Sequence, residues 1–277
     1  MFFVMAETAK KILFVNAEMF PYLPETDIAK ICRELPQGIQ ERKREIRAFM
    51  PRYGCINERK NQLHEVIRLS GMNIIIADVD RPLVIKVASI SSARIQVYFI
   101  DNEDYFRRKQ VYRDEDGTFF KDNGERAIFF ARGVLETVKK LRWAPDVILC
   151  QGWMAAAIPI YVKTAYHEEP TFANTKVVTS LFEKQIKTDL GNKFKRCLEF
   201  RNANASLLEP YSEKFDFMEL GKLAIDYSDG VIEAGQDVSP ELIAYARSTN
   251  VPYLDHPEGD FTDPYLNFFN TIAPDAD

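Results

Sequence analysis

The strongest constraint on the fold is an alternation that repeats along the chain. A short, continuously apolar run is followed by an amphipathic helical stretch and then by another apolar run. KILFVNA (11–17) opens the pattern. IAKICRELPQGIQER (28–42) follows, with Ile28, Ile31, Leu35 and Ile39 spaced three or four apart. That spacing puts one apolar stripe on a helix, and Pro36 inside it is expected to kink or shorten that helix. EIRAFMP (45–51) closes the unit as a second strand. Continuous apolar strands joined by helical crossovers build a parallel sheet covered on both faces.

The middle of the chain changes character. NIIIADV (73–79), LVIKVASI (83–90) and RIQVYFI (94–100) follow one another with only Arg81-Pro82 and Ser91-Ser92 between them. Three strands without helices read as an antiparallel insertion. A short helix capped by Asp101 or Asn102 follows, and 113–125 reads as a polar loop. The alternation then resumes. Helices are expected at 125–141, 152–166, within 209–227, at 239–247 and at 263–272, and strands at 146–150, 176–182 and 229–235. The architecture is α/β: a Rossmann-like, doubly wound, mostly parallel sheet with an antiparallel insertion. One domain spans 1–277, with its core at about 10–250 and a tail or helix at 251–277.

Ligands of such sheets bind beyond the carboxyl ends of the strands. That rule selects residues 18–27, 151–153, 181–185 and 233–236. Bulk properties narrow the ligand. Net charge is −5 in 277 residues, which gives no footprint for nucleic acid. The basic cluster Arg42-Lys43-Arg44 sits between Glu41 and Glu45 and reads as a solvated helix end. Cys32, Cys55, Cys150 and Cys197 are widely spaced, with no C-x-x-C pair for a metal or redox site. Neither metal nor cofactor is expected. No apolar run reaches the length of a membrane helix, and MFFVMAETAKK lacks the basic start of a signal peptide. The expected location is the cytoplasm.

The strand ends, taken in order, resemble one family. KILFVNAEMFPY and REIRAFMPRYG are similar to the opening of bacterial glycogen and plant starch synthases of the ADP-glucose type. VYFIDNEDYFRRKQVYRDEDG, then DNGERAIFFARGVLETVKKLRWAPDVILCQGWMAAAIPIYVK, then LGKLAIDYSDGVIEAGQDVSPELIAYA resemble the rest of their N-terminal domain. The resemblance implies one half of a B-type glycosyltransferase fold. It also implies that this chain ends where the second, donor-binding domain would begin.

Within that resemblance three motifs depart. The family's Lys-Thr-Gly-Gly turn, which meets donor phosphate, is Pro24-Glu25-Thr26-Asp27 here. His-Asp-Trp-His is Gln151-Gly152-Trp153-Met154. Thr-Ile-His-Asn is Thr179-Ser180-Leu181-Phe182. The residues expected to line what is left of the cleft are Glu18, Tyr22, Glu25, Asp27, Gln151, Trp153 and Glu183. None is assigned a catalytic role. Glu25 and Asp27 read first as helix-start residues, Trp153 as core, and Tyr98, Phe99, Tyr105 and Phe106 as packing.

Three functional readings stand, one of them an unrelated small-molecule function in the retained crevice. In the first, the chain is a binding or scaffold protein of glycogen or polysaccharide metabolism without glucosyltransferase activity of its own. Its ligand would be an α-glucan or sugar. A protein partner, or a second copy, would use the face left by the missing domain, which Tyr265-Leu266-Asn267-Phe268-Phe269 is expected to cover in part. In the second, a partner chain supplies the donor-binding domain, and glucose is transferred from ADP-glucose to α-glucan in trans.

Overall fold

A computed structural model describes residues 10–274; the N-terminal stretch MFFVMAETA lies outside them. The chain runs β1 (Lys11–Asn16), α1 (Asp27–Glu41), β2 (Glu45–Pro51), β3 (His64–Glu65), β4 (Met72–Ile76), β5 (Val79–Ile90) and β6 (Ile95–Asp101). It continues through α2 (Glu103–Phe106), α3 (Asn123–Leu141), β7 (Val147–Gln151), α4 (Ile158–Lys163) and β8 (Lys176–Leu181). The last elements are α5 (Phe194–Leu198), α6 (Ala205–Leu208), α7 (Phe217–Asp226), β9 (Gly230–Glu233), α8 (Pro240–Ser248), β10 (Tyr253–Leu254) and α9 (Thr262–Ile272).

The strands form one sheet in the order β10-β9-β8-β7-β1-β2-β6-β5-β3, with β4 paired to β5. From β10 to β6 every pairing is parallel. The insertion β3-β4-β5-β6 is antiparallel, as its sequence predicts. The crossover from β1 to β2 steps toward one edge, whereas those from β6 to β7, β8 and β9 step toward the other. Right-handed crossovers therefore put α1 on one face and α3, α4 and α7 on the opposite one. The direction of winding reverses between β1 and β7, and that boundary is the switch point at which doubly wound sheets bind ligands.

The core is apolar where both faces are covered. Ile12, Leu13, Phe14 and Val15 of β1 and Val147, Ile148 and Leu149 of β7 have no exposure at all. Tyr98, Phe99, Tyr105 and Phe106 are all buried, as packing residues. Helix α9 returns to α1: the missing Cβ of Gly38 is occupied by Thr262, and that of Gly230 by Phe268. Arg42 pairs with Asp263 at the same junction.

Several local expectations are corrected. The hairpin between β4 and β5 turns at Ala77-Asp78, both with positive φ (48° and 65°), and Arg81-Pro82 lies inside β5. Pro82 is in register with Asn73, and its carbonyl accepts from the Asn102 amide. Helix α1 passes through Pro36 without a break. The buried Pro36 side chain packs in the core, and Arg33→Gln37→Glu41 side-chain bonds of 2.7 and 2.8 Å bridge the gap on the outer face. The helix expected over 152–166 is instead a 3-10 turn at Trp153–Ala155 and the short α4. Pro159 is the reason: it belongs in the first turn of a helix, so the chain must restart there. β3, α5, α6 and β10 carry no sequence signal strong enough to predict them.

Candidate functional site

At the switch point the Ala17 N–H donates to the Gln151 carbonyl (2.8 Å), so β1 and β7 end side by side. Glu18 is the first residue beyond them. One of its carboxylate oxygens accepts from the Thr26 hydroxyl (3.0 Å) and the other from the Tyr112 hydroxyl (3.3 Å). Burial raises its pKa; the two hydrogen bonds oppose the rise, and the charge of Glu183 adds to it. Glu18 and Glu183 are thus two carboxyl groups sensing each other across the strand ends.

Thr26, flanked by the exposed Glu25 and Asp27, is the cap of α1. Its hydroxyl oxygen accepts the Ala29 N–H at 3.0 Å. Asp27 occupies the first turn, where a carboxylate is favourable to the helix dipole. Glu25 and Asp27 do stand at the helix start; the side chain that caps it is that of Thr26 between them. Tyr22 turns away from this cluster. It is buried with its ring edge-on to Phe99 at 4.9 Å, and burial pushes its hydroxyl up to about 12.

Gln151 ends β7 with no exposure, and neither polar atom of its side chain has a partner. It lies in register between Asn16 of β1 and Ser180 of β8. In-register residues of parallel strands share a face, so the three form one row. The Asn16 amide is also buried and unpartnered, and the buried Ser180 hydroxyl sits beside the Tyr265 hydroxyl of α9. Buried polar groups without partners are rare, and Asn16 and Gln151 form an unsatisfied pair on adjacent strands. The row faces α9, because Gly230, aligned two residues before Ser180, meets Phe268 on that side.

Gly152 has φ +83°, and a Cβ on it would lie 2.6 Å from Ala17 Cβ. Trp153 is buried, as expected. Its backbone N–H donates to Gln185 Oε1 (3.0 Å), and its ring stands against Tyr112 (centroids 5.1 Å apart) and Phe119 (5.9 Å). Leu181 and Phe182 are buried in the core. The Tyr53 hydroxyl donates to the Ala17 carbonyl (2.9 Å) and lies 3.2 Å from that of Tyr112.

The structure thus gathers Glu18, Glu25, Asp27, Gln151, Trp153 and Glu183 around the ends of β1 and β7. Sequence reasoning missed Asn16, Tyr53, Tyr112 and Ser180. Asn16 and Ser180 were legible as polar residues within apolar strands; Tyr112, arriving from a loop, left no such signal. Helix α9 returns to the flank of α1, where Tyr265 and Asp27 border one recess of about 280 Å³. Among the described residues, no group of three His, Cys, Asp or Glu is arranged to hold a metal ion, and no helix is long and apolar enough to cross a membrane.

The fold is shared with known proteins. A solved structure, the catalytic domain of starch synthase IV from Arabidopsis thaliana bound to ADP and acarbose, superimposes with a TM-score of 0.68 over 93% of this chain and 53% of its own. At 16% identity that likeness shows the fold alone. A glycogen synthase of Chlorobium limicola is 39% identical over 178 residues, 64% of this chain and 36% of its own. One from Chlorobaculum tepidum is also 39% identical over 178 residues, again 64% of this chain and 36% of its own. This chain therefore spans about a third of the length of the curated relatives it matches. The family model described as starch synthase catalytic domain matches residues 11–247, and the chain belongs to that family.

Proposed function

We propose that this protein binds a neutral α-glucan at the ends of β1 and β7 and does not by itself transfer glucose from a nucleotide sugar. The observation that carries the reading is the acidic, already capped start of α1. An open helix N-terminus with glycines is a ready anion site. Here Thr26 uses the Ala29 N–H, and Glu18, Glu25 and Asp27 surround the turn.

Magnitudes decide between attraction and repulsion. A helix terminus offers an anion about 0.3–1 kcal/mol. A carboxylate brought to about 4 Å from a phosphate opposes it by about 4 kcal/mol at an effective dielectric near 20. Carboxylates, amides and hydroxyls do suit the hydroxyl groups of an uncharged sugar. The row Asn16, Gln151 and Ser180 is buried beneath α9, so the accessible polar groups at the strand ends are Glu18, Glu25, Asp27 and Glu183, and Gln151, Leu181 and Phe182 stand where the family resemblance implies histidine, histidine and asparagine.

Calorimetric titration with maltotriose, ADP and ADP-glucose tests the reading. Maltotriose is expected to bind, and ADP to give no heat. Binding of ADP, or glucosyl transfer from ADP-glucose to a maltooligosaccharide, overturns it. Transfer that appears only when a second chain is added would favour completion of the site in trans.

A further inference from the structure

We infer that the outer edge of β4 is a docking site for an extended acidic peptide, a segment of a partner protein, which adds to the sheet as one more strand and places a carboxylate on Arg132. None of the residues involved belongs to the strand-end site, and the edge can act whether or not that site holds a glucan.

The backbone is set out for pairing. β4 pairs with β5 alone, and no described strand meets its other side. Asn73 lies opposite Pro82, whose carbonyl turns away to accept from the Asn102 amide (2.8 Å). Asn73 and, two residues on, Ile75 therefore direct their N–H and C=O groups away from β5. Arg132 donates to the Ile75 carbonyl; the other three groups stand at the edge. Proteins usually blunt an exposed edge with lysine, proline or a bulge. MNIII has neither lysine nor proline and pairs in unbroken register, and Ile75 is 55% exposed.

A groove of about 720 Å³ lies between this edge and residues 196–201, within the range of about 300–1,000 Å³ typical of ligand clefts. Arg132 of α3 bridges its two sides. Its guanidinium holds the Ile75 carbonyl and lies 3.6 Å from the centroid of the Phe200 ring.

Charge selects the occupant. Arg132 is 5% exposed, its Nε is buried without a partner, and no carboxylate of the described residues pairs with it. A buried charge without a counter-ion is costly, and stacking on Phe200 has already oriented this guanidinium for a carboxylate. The neighbouring charges are engaged: Arg196 with Asp78 (3.2 Å), Arg201 with Glu169 (3.3 Å), and Glu136 with Lys139 (3.4 Å) and the Tyr166 hydroxyl (2.8 Å). Glu199, the remaining acid of the lining, is exposed, where solvent and salt screen it. In an added strand, successive side chains face opposite ways. Those on the α3 side meet Arg132, and those between them lie beside Ile75. Acidic residues alternating with β-branched ones satisfy both positions.

The probe is the dye-labelled peptide Val-Glu-Val-Glu-Val, with Val-Lys-Val-Lys-Val and Val-Glu-Pro-Glu-Val carrying the same label as controls. Fluorescence anisotropy is read with the wild type, Arg132→Gln and Asn73→Pro. The glutamate peptide is expected to bind the wild type, more weakly as salt is raised, and to slow amide hydrogen exchange over residues 72–76. Each substitution should weaken it about tenfold or more, and both control peptides should bind about tenfold or more weakly than it does. Asn73 is exposed and its N–H points away from β5, so Asn73→Pro leaves the ladder and Arg132 in place. That variant keeps the test open if Arg132→Gln fails to fold. Equal binding of the glutamate and lysine peptides overturns the site, as does binding that survives both substitutions or no binding at about 1 mM peptide. A wild-type dimer in light scattering that Asn73→Pro dissociates would assign the edge to a second copy, and overturns it too.

Discussion

Glu18 is the residue on which the candidate site turns. Burial holds its carboxyl above the ordinary value of 4.5, so the folded state keeps a proton that the unfolded chain releases. The sign follows from linkage: Glu18 supports folding at acid pH, and the support is lost as pH rises from that ordinary value through the raised one. Glu18→Gln, which stays uncharged, should therefore gain stability relative to the wild type between pH 4 and pH 7. Urea midpoints measured across that range check it; a difference that does not change with pH refutes it. Gly152 makes a second, simpler case. Its φ is +83°, and a Cβ would sit 2.6 Å from Ala17 Cβ. Strain and overpacking act together, so Gly152→Ala should cost about 2–4 kcal/mol, seen as a lower melting temperature.

At the scale of elements, α1 depends on its cap. Thr26 holds the Ala29 N–H and at the same time donates to Glu18. Thr26→Ala should destabilise the fold by about 1 kcal/mol, and Thr26→Ser should restore most of it; chemical denaturation of the three proteins separates the cases. This scale also shows what the sequence made legible. The apolar run KILFVN specified β1 almost to the residue, because a doubly covered strand has no polar face to blur it, and EIRAFMP specified β2 despite the exposed Glu45 and half-buried Arg47 in its first half. The stripe of Ile28, Ile31, Leu35 and Ile39 specified α1 despite Pro36. The reading failed where two signals competed. Pro82 looked like a turn, but the backbone found φ > 0 at Ala77 and Asp78 instead, and an edge position tolerates proline in a strand. Pro159 looked internal to a helix and was a new start. At the site, strand-end residues were legible from topology, whereas Tyr112 was not, since only the folded loop brings it to Glu18.

At the scale of the molecule, the switch point between β1 and β7 is kept, and the turn beside it is acidic where the resemblance implies a basic one. Replacing Pro24-Glu25-Thr26-Asp27 by Lys-Thr-Gly-Gly changes the formal charge of the turn from −2 to +1. Glycines would also open the backbone N–H groups that Thr26 now closes. Such a variant should acquire affinity for ADP that weakens as salt is raised, the mark of exposed charge. It should also lose about 1 kcal/mol of stability with its cap. Binding and transfer then separate. Gln151 cannot carry charge, and Leu181 and Phe182 are buried and apolar, so the sugar-facing half of the switch point is unchanged by the graft. The variant is expected to bind ADP by calorimetry and to leave ADP-glucose unconsumed in a coupled assay for ADP release. If it binds no ADP even at low salt, the acidic turn is not the barrier, and the rejection of phosphate must come from the covered strand ends themselves. If it binds ADP and also transfers glucose, Gln151 suffices in the sugar subsite, and the turn alone separates this chain from an active synthase.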